Sequence, residues 1–205
     1  NMPHDTPIGA IKIMSYNVHG YNGRGPERDP QAAEDIISYF KKAKPDILCL
    51  QEDCGYTQTQ IQEQMDSIFP YNSREVFGSE HELNGISIYT RFPIIKKENI
   101  PYESKGNGSC AFFINVNGKT VVVVNNHFES NCLTADDKSK YKAILKGDVE
   151  GDSAKTGSRY IAGKLAEASR RRAPQADMVH KYVENISKKY PVIVTGDFKD
   201  NPISD

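Results

Sequence analysis

Four polar residues stand directly after apolar, strand-like runs: Asn17, Glu52, His127 and Asp197. Loops at strand ends are where a rigid sheet presents reactive side chains, and a carboxylate there commonly ligates a metal or acts as a base. Each residue taken alone is more often a cap or a hydrogen-bonding loop residue. An amide, an imidazole and two carboxylates in one chain are a stronger indication, and they predict one site built from four strand ends.

The elements that must position these residues begin with a β-α-β pattern. Residues 10–16 are β-like, and Asp29-Pro30 then opens a helix with apolar residues at helical spacing. Residues 44–46 end that helix, and residues 47–50 form a continuous apolar strand. Strands with this pattern are typically parallel and buried on both faces.

The rest of the chain reads as a helix, a run of strands and a long helix before a last strand. A hairpin is predicted at Asn117-Gly118, because both residues tolerate the positive φ of a type I′ turn. We expect the long helix to be interrupted at Ala173-Pro174. In chain order, the predicted elements are a helix at 57–68, strands at 85–90, 94–100, 110–116 and 120–124, a partly helical excursion at 129–157, a helix at 158–189 and a strand at 191–195. No linker is evident, so we expect one α/β domain over residues 1–205, with helices outside two sheets.

The composition indicates a globular domain without a membrane span. The 205 residues carry a net charge of -1, which gives no overall electrostatic reason to bind nucleic acid. No apolar run reaches the roughly 18 residues that a membrane helix needs. Cys49 and Cys110 lie in apolar strand-like runs and are predicted core residues. Reduced thiols are the default for Cys54 and Cys132, and a disulfide between their two loops is the open alternative.

Several short motifs occur in an order that resembles the endonuclease/exonuclease/phosphatase family, which has the DNase I-like fold. They are S-Y-N-V at residues 15–18, L-Q-E at 50–52, N-H-F at 126–128 and G-D-F at 196–198, with a middle strand and turn at 84–93. Their order and spacing cover essentially the whole chain. Within the family, the chain is most similar to a bacterial branch often found behind N-terminal membrane helices. That similarity would make it a soluble domain of a membrane-anchored protein.

The resemblance implies a four-layer αββα sandwich with the site at one rim of its two sheets. It also implies hydrolysis of a phosphoester with Mg²⁺ or Mn²⁺ as cofactor. Glu52 would be the metal ligand, and Asn17 would orient the metal shell or a phosphate oxygen. Asp197 would bind near the metal and position the attacking water, while His127 would donate to a phosphate oxygen. The expected metal-binding set is thus Glu52, Asn17 and Asp197, whose oxygens suit Mg²⁺.

Two departures from the family pattern bear on activity. The family usually has Asn two residues after the Asp, whereas this chain has Lys199, which cannot accept a hydrogen bond. Lys199 would either offer its cation to the phosphate or repel the metal. The final Asp-His pair of the family would lie beyond Asp205. We therefore expect a C-terminally incomplete domain that lacks the last strands of one sheet.

Two further residues lie close to the predicted site in sequence. His19 and Glu129 each follow a site residue by two positions, so an extended segment would point them to the same side. We favour a loop role for His19. Glu129 would either orient His127 or face solvent.

The leading interpretation is a metal-dependent phosphoesterase, in a family that includes nucleases. Motif residues handle the phosphate and cannot choose among nucleic acid, a phospholipid head group and a sugar or inositol phosphate. No protein partner is inferred, and we expect a monomer. The alternative is a catalytically impaired member that binds a phosphate ligand or a protein, with Lys199 in place of the usual Asn. A P-loop nucleotide binder is excluded, because the chain has no G-x-x-x-x-G-K motif.

Overall fold

The apolar periodicities of the sequence produce strands and helices throughout the computed structural model, which describes residues 9–22, 29–53, 58–78, 84–130, 133–149 and 151–199. The strands among these residues are β1 (Ile13–Asn17), β2 (Ile47–Gln51), β3 (Tyr71–Phe77), β4 (Asn84–Thr90), β5 (Ile94–Ile100), β6 (Gly108–Val116), β7 (Lys119–His127) and β8 (Val192–Asp197). The α-helices among them are α1 (Pro30–Ala43), α2 (Gln58–Asp66), α3 (Ala135–Lys146) and α4 (Gly151–Ile186), and a short 3-10 element covers His19–Asn22.

Helix α1 begins and ends where the sequence predicts, because both of its ends are capped locally. The Asp29 side chain accepts a hydrogen bond from the Gln31 backbone N–H, and Pro30 occupies the first turn. At the other end, Lys44 is left-handed and its N–H donates to Phe40 O. Strands β1 and β2, on either side of α1 in the sequence, pair in parallel. The predicted β-α-β unit is therefore confirmed.

Two four-stranded sheets stack face to face, with the strand orders β1-β2-β4-β3 and β5-β6-β7-β8. The alternation of side chains along β2 separates two layers of the core. Leu48 and Leu50 share a buried cluster with residues of α1 and α2. Ile47 and Cys49 instead pack in the cluster between the sheets, against β6 and β7. Helices α1 and α2 thus cover the outer face of the first sheet.

The second sheet repeats this arrangement on its own outer face. In β6, Phe112 packs in the cluster between the sheets. Its neighbour Phe113 lies in a separate cluster with Val179 of α4. The layers are therefore helix, sheet, sheet and helix, which confirms the predicted αββα sandwich.

The predicted hairpin between β6 and β7 is also confirmed. Asn117 has a φ of 52° and Gly118 a φ of 87°, the two positive values that a type I′ turn needs. The resulting antiparallel register extends from the turn to the pair formed by Gly108 and His127. This register carries β7 to the rim of the sheet, where His127 is its last residue.

The cysteines in the core behave as their sequence context predicts. Cys49 and Cys110 carry free thiols and are 0% exposed. Burial raises the pKa of the Cys49 thiol to about 12, so it stays protonated and unreactive. Cys54 and Cys132 lie outside the described residues, so their reduced state stays a prediction and a disulfide between them stays the open alternative.

Helix α4 differs from its prediction, because it continues through Pro174 instead of being interrupted there. The next residue anchors the helix at this point. Gln175 accepts a hydrogen bond from the Glu129 N–H and donates to Glu103 O, which fixes α4 against the segments that flank β6 and β7. These contacts offset the helical hydrogen bond that proline removes. In the part of the chain that the structure describes, neither α4 nor any other helix has the length and apolar content to cross a membrane.

Strand β3 was not predicted from the sequence. It pairs antiparallel with β4 at the edge of the first sheet, and several of its side chains are polar and partly exposed, including Asn72, Ser73 and Glu75. An edge strand of this kind lacks the apolar alternation that marks a strand in a sequence. Strand β3 matters for the site because its Arg74 side chain donates a hydrogen bond to Asp53, which follows Glu52 in the chain.

Candidate functional site

The four residues predicted from the strand ends lie together at one rim of the sandwich. Strands β1 and β2 are parallel in the first sheet, and β7 and β8 are parallel in the second. His127 and Asp197 are register partners at the ends of β7 and β8. Asn17 Nδ2 donates to Asp197 Oδ2 at 2.9 Å, so the two sheets meet at this point.

Asn17 connects the two carboxylates of the site. Its Nδ2 donates to Glu52 Oε1 at 2.8 Å as well as to Asp197. Its Oδ1 accepts a hydrogen bond from the His19 N–H at 2.9 Å, which turns the amide so that its nitrogen faces the acids. A shared donor stabilises the ionised form of both neighbouring carboxylates.

His127 presents a protonated ring nitrogen to the carboxylates. The residue is 2% exposed, and Asn84 Nδ2 lies 3.2 Å from His127 Nδ1. Because the amide nitrogen can only donate, Nδ1 accepts and the proton of the neutral ring resides on Nε2. Nε2 lies 3.6 Å from Glu52 Oε1 and has no hydrogen-bond partner among the described residues. Burial, together with the Lys199 ammonium, lowers the pKa of His127 to about 4, so its ring is neutral at physiological pH.

Lys199 lies within the site and contacts both acids. Its Nζ is 2.6 Å from Asp197 Oδ2 and 3.7 Å from Glu52 Oε1. The Lys199 backbone is left-handed, with a φ of 56°, and its N–H donates to Asp197 Oδ1 at 3.1 Å. This turn folds the lysine back over the end of β8. Its ammonium therefore occupies the space beside the carboxylates that another cation would use.

Both acids are ionised near neutral pH. Burial by itself would raise the pKa of Glu52, but hydrogen bonds from Asn17 and His19 outweigh it and lower the pKa below its ordinary value. Burial would likewise raise the pKa of Asp197, and there the contacts with Lys199 and Asn17 lower it. Two anionic carboxylates side by side are the state in which such a pair can hold a metal ion.

The residues present fit a metal site. Glu52, His127 and Asp197 each offer one ligand atom, and these atoms lie within 4.8 Å of one another. Two of the three are carboxylate oxygens, the hard donors that Mg²⁺ and Mn²⁺ take. The third residue, His127, lies beside both carboxylates, but its Nε2 carries the ring proton and would donate a hydrogen bond there instead of binding the ion.

His19 lies on the side of the site that its spacing suggests, whereas Glu129 does not. The His19 side chain is 72% exposed and its Nδ1 lies 2.9 Å from Glu52 Oε2, so the favoured loop role stays a prediction. Glu129 neither orients His127 nor faces solvent. It is buried, and its Oε2 accepts hydrogen bonds from Ser104 Oγ and the Lys105 N–H.

Gly196 allows β8 to deliver Asp197 to the rim. Its φ is 146°, and a Cβ there would lie 2.1 Å from Asn126 O on the neighbouring β7. No side chain fits this approach, so glycine is required one residue before the carboxylate. The backbone pairing that results places Asp197 beside His127.

Sequence reasoning missed three polar residues that support the site: Asn84, Asn125 and Asp53. Asn125 Nδ2 donates to Leu50 O at 2.9 Å and to Ser87 O at 3.0 Å, which joins the two sheets behind the site. The sequence indicated Asn125 only by placing an amide directly after a run of valines, where an apolar residue would be expected. Asn84 is the first residue of the motif at 84–93 and Asp53 directly follows the L-Q-E motif, so each carried the signal of a polar residue at the edge of a recognised motif.

The chain matches the model of the endonuclease/exonuclease/phosphatase family over residues 14–203. A comparison with curated proteins finds no match. Solved structures with a similar fold include TDP2 from Caenorhabditis elegans, with a TM-score of 0.62 and 17% identity over 100% of this chain and 53% of that protein. Sphingomyelinase C from Streptomyces griseocarneus has a TM-score of 0.63 and 18% identity, over 97% of this chain and 67% of that one.

A third similar structure is a β-hairpin deletion mutant of beta toxin from Staphylococcus aureus, with a TM-score of 0.63, 17% identity and coverage of 95% of this chain and 69% of that one. This chain thus spans about half to two thirds of the length of these proteins. At such identities the structural likeness concerns the fold. The family match covers nearly the whole chain, and this protein belongs to the endonuclease/exonuclease/phosphatase family.

Proposed function

We propose that this chain is a metal-dependent phosphoesterase, which hydrolyses a phosphodiester or a phosphomonoester by attack of an activated water. The observation that carries the proposal is the cluster of Glu52, His127 and Asp197, with ligand atoms within 4.8 Å of one another. Membership of a family described by nucleases and phosphatases supports it, since both break a P–O bond with water.

Glu52 and Asp197 are the residues that would hold a divalent ion such as Mg²⁺ or Mn²⁺. Mg²⁺ usually binds to one or two protein carboxylates and keeps several waters, which suits this pair. When bound, the ion would offset the negative charge of the phosphoester and favour deprotonation of water. Asn17 would orient the two carboxylates, because its nitrogen donates to both and its oxygen is engaged by His19.

His127 and Asp197 would divide the handling of protons and hydrogen bonds. His127 Nε2–H would donate to a non-bridging phosphate oxygen, where negative charge increases as water attacks. Its buried ring is held by Asn84, so the donor is oriented before substrate binds. Asp197 would accept a hydrogen bond from the attacking water and direct its lone pair towards phosphorus.

Lys199 would contact the phosphoester once a metal ion holds the carboxylates. Its side chain is 23% exposed and has the length to move away from Asp197 while staying at the rim. An ammonium is a point charge that binds phosphate oxygens in any orientation. The usual Asn at this position is neutral, so the substitution would shift part of the phosphate binding from hydrogen bonding to charge.

The substrate we favour is a phosphodiester. One protein of similar fold is named a sphingomyelinase, and sphingomyelin contains a phosphodiester between its lipid and its head group. Nucleic acid is the other diester candidate, although the net charge of -1 gives the chain no overall electrostatic attraction for a long polyanion.

The alternative function is a phosphate-ligand or protein-binding domain that has lost catalysis. The observation that favours it is the ammonium of Lys199, 2.6 Å from Asp197 Oδ2. A cation that stays there would neutralise the carboxylates and keep a metal ion out. The site would then bind an anion through Lys199 and His127 without hydrolysing it.

Hydrolysis of two chromogenic esters distinguishes these functions. The full-length protein is assayed with bis-p-nitrophenyl phosphate and p-nitrophenyl phosphate, in Mg²⁺, in Mn²⁺ and in excess EDTA. We expect turnover that needs the metal, a preference for the diester, and a loss of roughly 10²–10⁴-fold in kcat for His127→Ala. His180→Ala, an exposed histidine of α4, is the matched control and should retain activity. Turnover in EDTA, or an active His127→Ala, would contradict the proposal.

A further inference from the structure

The backbone of Glu52 is held in a strained conformation by its neighbours. Its φ is 56°, in the left-handed region that side chains with a β-carbon rarely adopt. Gln51 before it and Asp53 after it are each 1% exposed. Gln51 Nε2 donates to Asn125 Oδ1 of the second sheet at 2.7 Å. Strain of this kind persists only where the surrounding contacts fix the chain on both sides.

Asp53 supplies the contacts on the far side of Glu52. Its Oδ2 accepts hydrogen bonds from Ser87 Oγ at 2.5 Å and from Arg74 Nη2 and Nε at 2.9 and 3.2 Å. Its backbone N–H donates to Gly85 O at 3.0 Å. A Cβ at Gly85 would lie 2.8 Å from Asp53 O, so the two strands pass too closely for any other residue. Asp53 is therefore fixed through both its side chain and its backbone.

Arg74 reaches this carboxylate from β3, the edge strand of the first sheet. The Asp53 side chain is 2% exposed, and an unpaired charge at that depth would be strongly unfavourable. Arg74 balances the charge and is itself held by Gln62 Oε1 at 3.3 Å and Tyr89 Oη at 3.2 Å. The pair thus connects the residue after Glu52 to α2, β3 and β4.

We propose that the Asp53–Arg74 ion pair is a positioning device, which holds the Glu52 backbone in its left-handed conformation and so directs the Glu52 carboxylate to the metal. The inference rests on the proposed function, in which Glu52 binds the ion. Neither Asp53 nor Arg74 touches metal or substrate. A carboxylate that ligates a metal depends on such supporting contacts for its orientation, and losing one costs roughly 10- to 100-fold in metal affinity.

The test is Asp53→Asn in the full-length protein, with Mn²⁺ binding measured by isothermal titration calorimetry. Asparagine keeps the shape of the side chain and removes the charge that Arg74 pairs with. We expect the Kd for Mn²⁺ to rise roughly 10- to 100-fold, and Arg74→Lys to give an intermediate rise. Melting temperatures measured alongside ensure that each titration is made on folded protein.

The matched control is Asp46→Asn, at the other end of β2. Asp46 Oδ1 pairs with Arg91 Nε at 3.1 Å, and its Oδ2 accepts a hydrogen bond from the Lys12 N–H at 2.7 Å. It is thus an aspartate with an arginine partner and a backbone donor, but remote from Glu52. Its Kd for Mn²⁺ should stay within about twofold of the wild type, because only the pair that adjoins Glu52 positions the ligand.

The outcomes separate this inference from the proposed function. An unchanged Kd in Asp53→Asn, with binding abolished in Glu52→Gln, would overturn the positioning role and leave the function intact. An equal loss in Asp46→Asn would also overturn it. A wild type that binds no Mn²⁺ would reject the function, and a crystal structure of Asp53→Asn would then decide the inference. Loss of the left-handed φ at Glu52 would support it, and an unchanged φ would refute it.

Discussion

Replacing Lys199 tests whether its ammonium occupies the position of a cation in this site. The Nζ atom lies 2.6 Å from Asp197 Oδ2 and 3.7 Å from Glu52 Oε1, and the side chain is only 23% exposed. A divalent ion that binds both carboxylates must break these contacts. Lys199→Met and Lys199→Asn remove the charge, so both should strengthen Mn²⁺ binding.

The expected change in the Kd for Mn²⁺ follows from the distances between Lys199 Nζ and the two carboxylates and from the burial of the lysine side chain. Coulomb attraction falls with distance, so the Asp197 contact is the stronger of the two. Ion pairs contribute about 0–1 kcal/mol when exposed, and breaking a buried pair costs about 3–5 kcal/mol. A partly exposed pair falls between these values, and about 1.4–2.8 kcal/mol corresponds to roughly 10- to 100-fold in Kd. We therefore expect Lys199→Met to bind Mn²⁺ roughly 10- to 100-fold more tightly than the wild type.

Isothermal titration with MnCl₂ at one pH and ionic strength measures this difference. Lys164→Met is the matched control, because the Lys164 side chain is 27% exposed and its Nζ pairs with Asp137 Oδ2 at 2.6 Å outside the site. Its Kd for Mn²⁺ should equal that of the wild type. If Lys199→Met bound Mn²⁺ no more tightly than the wild type, the Lys199 ammonium would not compete with the ion for the carboxylates.

Three further changes test the fold and the site. Gly196→Ala should lower the free energy of unfolding in urea by about 3 kcal/mol or more, because its Cβ would lie 2.1 Å from a backbone oxygen of β7. Its matched control, Gly163→Ala in α4, has nothing within 4 Å of the added Cβ and should instead raise the free energy of unfolding by about 0.5–1 kcal/mol. Asn84→Ala should lower kcat about tenfold with little change in KM, and ¹⁵N NMR should show that the His127 proton no longer resides on Nε2 alone. A hydrogen bond from a lysine of α4 lowers the pKa of Asp137 from 3.8 to about 2, so its contribution to stability is complete above about pH 4 and is lost as the pH falls through about 2. The melting temperature followed by circular dichroism should then fall more steeply with acid in the wild type than in Asp137→Asn.

Each of these three has a clear contrary result. Equal unfolding free energies for Gly196→Ala and the wild type would contradict the close approach of β8 to β7. An unchanged ¹⁵N pattern in Asn84→Ala would show that another group fixes the tautomer of His127. If the melting temperatures of the wild type and Asp137→Asn fell in parallel with acid, the Asp137 carboxylate would not stabilise the contact between α3 and α4.

The elements that the sequence predicts well are those set by local residues. Helix α1 matches at both ends because Asp29 and Lys44 cap it within the chain segment itself. The β6–β7 hairpin matches because Asn117-Gly118 defines its turn. Strand β3 was not predicted, because its segment is polar and forms a strand only through its pairing with β4. The path of α4 through Pro174 depends likewise on a distant contact, that of Gln175 with Glu103.

The same distinction applies to the site. Strand ends identify Asn17, Glu52, His127 and Asp197, because each follows an apolar run in the sequence. The contacts that support these residues join positions far apart in the chain, so no local sequence pattern predicts them. The left-handed backbone of Glu52 is an example, since it follows from side chains that β3 and β7 contribute.

The proposed hydrolysis of a phosphoester depends on a metal ion that Glu52 would hold. The most direct measurement is the turnover of bis-p-nitrophenyl phosphate as a function of Mn²⁺ concentration, for the wild type, Glu52→Gln and the control Glu75→Gln. Glu75 pairs with Lys97 on β3 and β5, outside the site. We expect saturable activation by Mn²⁺ in the wild type and in Glu75→Gln, and a loss of at least about 10²-fold in kcat/KM for Glu52→Gln. Equal Mn²⁺-dependent turnover in Glu52→Gln and the wild type would show that Glu52 does not hold the ion.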